Sequence, residues 1–128
     1  MIPQISQAPG VVQLVLNFLQ VLEQQGFTGD TATSYADRLT MATDNSVYQL
    51  LPDAVLFPRS TADVALLARV AAEPRFKSLI FTPRGGGTGT NGQALNGGII
   101  VDMSRYMNRI IEINPEEGWV RVEAGVIK

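Results

Sequence analysis

The chain has 128 residues, 45% of them apolar, a formal net charge of −2, and neither Cys nor His. That is enough apolar sequence for one globular domain or part of one, and it leaves no disulfide, thiol nucleophile, triad base or usual transition-metal ligand. The ten Lys and Arg residues are scattered rather than blocked, which argues against nucleic acid as a partner.

At the start, Met1-Ile2-Pro3-Gln4 lacks the basic region of a secretory signal. The apolar stretch from Val11 to Leu22 is interrupted by Gln13, Asn17 and Gln20 and is too short to cross a bilayer. The expected location is cytoplasmic, with no transmembrane segment. Between Gly10 and Gly26 the polar residues Gln13, Asn17, Gln20 and Gln24 recur at helical spacing on one narrow stripe. The rest of that cylinder is apolar, which predicts a helix clamped between two surfaces. Downstream, Asp30 or Thr31 is expected to cap a short helix running to Met41, followed by a turn at Thr43-Asp44-Asn45-Ser46.

Ala54-Val55-Leu56-Phe57 reads as a short buried strand closed by Pro58. Ser60-Thr61-Ala62-Asp63 is a capping-box variant that opens a helix with Val64, Leu67, Ala68 and Ala71 on one face, ending before Pro74. Leu79-Ile80-Phe81-Thr82 is the next strand, parallel to the first across the helix. A glycine-rich loop leads from it to a strand at Ile99-Ile100-Val101-Asp102. Arg109 to Ile113, the turn Asn114 to Gly118, and Trp119 to Glu123 then carry a hairpin signal. Asp102 is expected to cap the Ser104-Arg105 turn. One small mixed sheet with helices packed on it, an α+β arrangement, accounts for these elements.

The loop itself, Pro83-Arg84-Gly85-Gly86-Gly87-Thr88-Gly89-Thr90-Asn91-Gly92, places five glycines in the eight positions from Gly85 to Gly92. Stripped of side chains, its backbone N–H groups are free to close on an anion, above all a phosphate. The bland alternative is a mobile glycine turn without a ligand. Gly87 to Gly92 satisfies G-x-G-x-x-G, yet no helix follows, so this is not a Rossmann fingerprint. Gln93 and Ala94 stand where a Walker loop needs Lys and Ser or Thr, which excludes an NTPase of that type.

Taken in order, Asp44 to Tyr48, Pro52-Asp53-Ala54-Val55 with Pro58, Ser60 and Val64, the Pro83 to Gly89 run, Gly98 to Met103, and Val122-Glu123-Ala124-Gly125-Val126 resemble the start of an FAD-linked oxidase domain. This is the FAD-binding domain of the vanillyl-alcohol oxidase and para-cresol methylhydroxylase type. Within it the spacing is similar to the branch of D-lactate, glycolate and D-2-hydroxyglutarate dehydrogenases, and the long lead before Asp44 to large bacterial members with iron–sulfur domains. The resemblance divides the chain into a helical segment, 1–43, and the first lobe of an FAD-binding domain, 44–128. It implies that Arg84, Gly85, Gly86, Gly87, Thr88, Gly89, Thr90, Asn91 and Gly92 lie against the FAD pyrophosphate. Pro58 either ends its strand or lies near the adenine or ribose.

The resemblance further implies a protein that oxidises a D-2-hydroxyacid, with the flavin-contacting segment, the substrate domain and any iron–sulfur cluster beyond Lys128. On that reading no catalytic residue lies in these 128 residues, and the lobe by itself self-associates through exposed apolar surface. The competing reading is a stand-alone phosphate- or nucleotide-binding module without catalysis.

Overall fold

The computed structural model describes residues 10–127; the readings of Met1 to Gln4 and of Lys128 lie outside them. Among them six strands, three α-helices and a 3-10 turn follow in the order α1 (Gln13–Gln24), β1 (Asp30–Ala32), α2 (Tyr35–Thr40), β2 (Ala54–Phe57), α3 (Thr61–Ala71), the 3-10 turn (Pro74–Phe76), β3 (Phe81–Arg84), β4 (Ile99–Asp102), β5 (Ile110–Asn114) and β6 (Trp119–Val122). No helix of the described residues is long and apolar enough to cross a membrane.

The first four strands form one mixed sheet in the order β1-β2-β4-β3. β2, β4 and β3 run parallel, and β1 pairs antiparallel with β2. Every residue of β2 and β4 is buried, as expected for central strands covered on both faces, whose sequences show no polar alternation. β3 lies at the sheet edge, the place where Pro83 costs no ladder hydrogen bond. The β2-α3-β3 unit is parallel as predicted, but β4 is inserted between its two strands.

Alternate residues of the sheet feed two cores. Ala54, Leu56, Ile99 and Val101 face α1, α3 and Phe76. Val55, Phe57 and Ile100 face the other way, against Ala32, Met41 and Tyr106. Phe18 of α1 is fully buried, edge-on to Phe76 and tilted on Phe81, each with ring centroids 5.2 Å apart.

Several expectations need correction. α1 is not clamped between two surfaces: Val15, Phe18, Leu19 and Leu22 are buried, whereas Val12 and Leu16 are 53% and 39% exposed beside the polar stripe. Only one packed layer lies beneath the helix. Asp30 and Thr31 do not cap a helix; they extend the sheet as β1, and the short helix starts later, capped by Ser34, whose hydroxyl accepts from the Asp37 amide. α3 turns inward through Asp63, Leu66, Leu67 and Val70, leaving Ala68 exposed. The cause is Asp63, whose buried carboxylate accepts from the Thr28 amide and hydroxyl and the Arg59 amide, fixing the rotation of the first turn. Finally, β5 and β6 do not join the mixed sheet. They form a separate two-stranded hairpin, with Ile110, Ile111, Ile113, Val120 and Val122 exposed.

Candidate functional site

The register of the sheet fixes where the glycine loop begins. Arg84 is level with Asp102 at the carboxyl ends of β3 and β4, and Leu56 is level with Val101, so Phe57 and Pro58 leave β2 at the same edge. In parallel sheets ligands bind at this edge, outside the carboxyl ends of the strands. Pro58 and Arg84 stand on either side of β4, about 10 Å apart by ordinary strand spacing.

Asp102 is buried and turned back on its own chain. Its Oδ1 accepts from the Ser104 amide and hydroxyl, both at 2.8 Å, and from the Arg105 amide at 3.1 Å, which is the capping role its sequence context predicts. Arg59 and Arg105, at the same edge, are engaged by Asp30, which also accepts from the Tyr106 hydroxyl. That hydroxyl holds the Asp30 carboxyl below its ordinary value, with the two guanidinium groups adding to the effect against burial.

The loop is shaped from within and open outward. Gly87 has φ +67° and Gly92 φ +76°, conformations that disfavour side chains. A Cβ on Gly87 would collide with the Arg84 guanidinium folded beneath it, and one on Gly92 would come within 3.1 Å of the Tyr48 ring. A Cβ on Gly85 would meet nothing within 4 Å. Neither a positive φ nor a neighbour requires glycine there, whereas the close approach of a ligand to the backbone would.

The amides of residues 85–90 donate no hydrogen bond within the described residues; the first loop amide with an acceptor is that of Asn91, to Gln93 Oε1 at 3.0 Å. Loop amides with no protein acceptor are open to a ligand's acceptors. Arg84 adds a charge: its Nη2 donates to the Thr43 carbonyl at 2.9 Å, while its buried Nη1 has no partner among the described residues. The chain from Thr43 to Leu50 lies over the loop, with Asn45 Nδ2 3.5 Å from the Thr88 carbonyl and an isolated bridge between Thr43 and Gln49. Sequence reasoning gave this segment no part in the site beyond its place in the ordered motif set, because a tertiary packing of turn on loop leaves no periodic signal.

The structure thus gathers Arg84 and Gly85 to Gly92 into one loop, with Thr88, Thr90 and Asn91 exposed along it except for partial cover of the intervening glycines. It sets Pro58 apart, fully buried below the same edge. A diphosphate fits these groups: it brings acceptors to the unpaired amides and to Arg84 Nη1, and needs backbone approach where Gly85 leaves space.

The parallel strands and the glycine loop at their carboxyl edge define an α+β lobe. A family model described as FAD binding domain matches residues 52–127, and the chain belongs to that family. The chain is 91% identical over 128 residues to the D-2-hydroxyglutarate dehydrogenase of Escherichia coli (strain K12), covering all of this chain and 13% of that protein. It is 56% identical over 128 residues to the Haemophilus influenzae protein of the same name, covering 12% of it. A glycolate oxidase subunit of Bacillus subtilis is 35% identical over 97 residues, or 73% of this chain and 20% of the relative. The chain therefore spans about an eighth of the length of these two dehydrogenases.

Among solved structures, an alkyldihydroxyacetonephosphate synthase superposes with a TM-score of 0.76 at 20% identity, covering 97% of this chain and 26% of that one. Physcomitrella patens BBE-like 1 gives 0.61 at 23% identity, over 77% of this chain and 21% of that one. These likenesses support the expected α+β fold of the para-cresol methylhydroxylase type.

Proposed function

We propose that the loop from Arg84 to Gly92 holds the pyrophosphate of FAD and that the whole protein oxidises D-2-hydroxyglutarate, a D-2-hydroxyacid, to its 2-oxoacid. The observation that carries the first part is the run of unpaired amides at residues 85–90, next to the unpaired Arg84 Nη1 and the open space above Gly85. Identity of 91% along the full 128 residues supports the second. Residues 1–43, which supply β1 to the sheet of the lobe from 44 onward, are read with it as parts of one flavoprotein, and its location as cytoplasmic.

When bound, FAD supplies the acceptor for the hydride removed from the hydroxyl-bearing carbon. The residues of this chain bind and orient. The loop amides and Arg84 neutralise the diphosphate, Thr88, Thr90 and Asn91 offer side-chain hydrogen bonds to it, and Pro58 packs beneath the edge on the adenosine side. None of the 128 residues is assigned to proton transfer. The exposed apolar face of the β5-β6 hairpin is proposed to make these residues self-associate when they stand alone.

Anaerobic addition of D-2-hydroxyglutarate to the whole protein tests the reading. The flavin absorbance is expected to bleach, and the L-enantiomer to act far more slowly. Reduction by NADH with no response to any D-2-hydroxyacid would overturn it.

A further inference from the structure

Two buried polar atoms at the glycine loop have no hydrogen-bond partner among the described residues: Arg84 Nη1 and Asp44 Oδ2. Both side chains are otherwise anchored. Arg84 Nη2 donates to the Thr43 carbonyl at 2.9 Å, and Asp44 Oδ1 accepts from the Ser46 amide at 2.8 Å. The Ser46 hydroxyl and amide hold the Asp44 carboxyl below the usual carboxylate range against the effect of burial, with Arg84 contributing, so the group is charged at neutral pH. Folded proteins leave few buried charged atoms unpaired, because each forfeits its hydration without replacement.

The two atoms have opposite needs. Arg84 Nη1 requires an acceptor, which a phosphate oxygen provides. Asp44 Oδ2 requires a donor, and an ionised diphosphate has none to offer. A nucleotide has both, since its sugar hydroxyls lie a few bonds from its phosphates. The turn carrying Asp44 is seated on the loop by Asn45 and by Tyr48 against Gly92, which sets its carboxylate beside the loop. We propose that Asp44 is a ligand-binding residue, its Oδ2 accepting a hydrogen bond from a sugar hydroxyl of the nucleotide whose diphosphate lies on the glycine loop beside Arg84. This rests on the reading of that loop given above. The hydroxyl belongs either to the adenosine ribose or to the ribityl chain.

The alternative role for Asp44, a counter-ion that only offsets Arg84, makes the opposite prediction. A carboxylate near a diphosphate repels it, so removing the charge would tighten every anionic ligand. The test is a calorimetric titration of the intact apoprotein, wild type and Asp44→Asn, with inorganic pyrophosphate, ADP and FAD. Asn keeps the oxygen that accepts from the Ser46 amide and replaces Oδ2 by a donor. Pyrophosphate is expected to bind as tightly or a few-fold more tightly, while FAD weakens about tenfold or more, the size of one hydrogen bond to a charged group. Loss shared by ADP assigns the hydroxyl to the ribose; loss confined to FAD assigns it to the ribityl chain. If FAD and ADP keep their affinity or tighten together with pyrophosphate, Asp44 is a counter-ion and the proposal is wrong. Should Asp44→Asn fail to fold, Asp44→Ser, whose hydroxyl can still accept from the Ser46 amide, is read by the same criterion. Wild-type protein that binds FAD but no pyrophosphate would overturn the assignment of the loop itself, and this proposal with it.

Discussion

Asp63 shows how one carboxylate holds three parts of the chain. Its side chain is 3% exposed and accepts from the Thr28 amide and hydroxyl at 2.9 Å and from the Arg59 amide at 2.8 Å. The first turn of α3 is thereby tied to the entry of β1 and the exit of β2. Burial by itself would raise its pKa, but the hydrogen bonds from Thr28 and Arg59 outweigh it and hold the carboxyl below the usual carboxylate range. A folded value below the unfolded one means the stabilisation is fully present above about pH 4 and disappears as pH falls through the lower, folded value. Asp63→Ala is expected to cost about 2 kcal/mol at neutral pH, since it leaves two part-buried amides without their acceptor. Urea unfolding of wild type and variant checks this, and the difference between them is expected to narrow at pH 3. A difference that does not change with pH would contradict the account. Ser60 and Asp63 were legible as a cap from their spacing, but Thr28, 35 residues away, was not. A lone Thr donating to a distant carboxylate has no sequence signature.

Elements were read most accurately where the chain carries its own punctuation. β2 ends at Pro58, β4 follows Gly97 and Gly98, and the β5-β6 turn contains Asn114, Pro115 and Gly118, the last with φ +72°. Where tertiary pairing decides the outcome, the local sequence carries no such mark. Asp30–Ala32 has only three residues and becomes a strand because β2 offers an open edge through Asp30↔Phe57 and Ala32↔Val55. The hairpin likewise looked like part of the main sheet, yet its apolar residues face outward. Ile113 is 62% and Val120 52% exposed, and the two are directly opposed. A two-stranded ribbon is marginal alone in water, and a few hundred Å² of apolar surface is worth several kcal/mol at roughly 25 cal/mol per Å². The self-association proposed for these 128 residues is therefore expected to run through this face. Light scattering at rising concentration checks it: the wild-type sequence should form dimers or larger species, and Ile113→Lys with Val120→Lys should shift it to monomer. A wild-type sequence that stays monomeric at high concentration would refute the proposal.

Across the whole molecule, the parallel strands, the segment from Thr43 to Leu50 and the glycine loop converge on one edge of one sheet. The sequence made the loop conspicuous, since five glycines in eight positions exceed what a turn needs. It did not disclose which glycines serve the fold and which serve a ligand. That distinction needs coordinates: Gly87 and Gly92 are required by their own backbone conformation, whereas Gly85 has neither a positive φ nor a neighbour within 4 Å. Nor did it disclose that Arg84 folds under Gly87 to the Thr43 carbonyl with one nitrogen to spare. The central claim, that this loop is a cradle for the FAD pyrophosphate, is tested most directly by the flavin content of the whole protein carrying Gly85→Val. The variant is expected to unfold at the wild-type temperature, because nothing in the fold opposes the side chain, and to retain less than about a tenth of the wild-type FAD, because the side chain fills the space a phosphate must enter. A folded Gly85→Val protein with a full complement of FAD would contradict the claim.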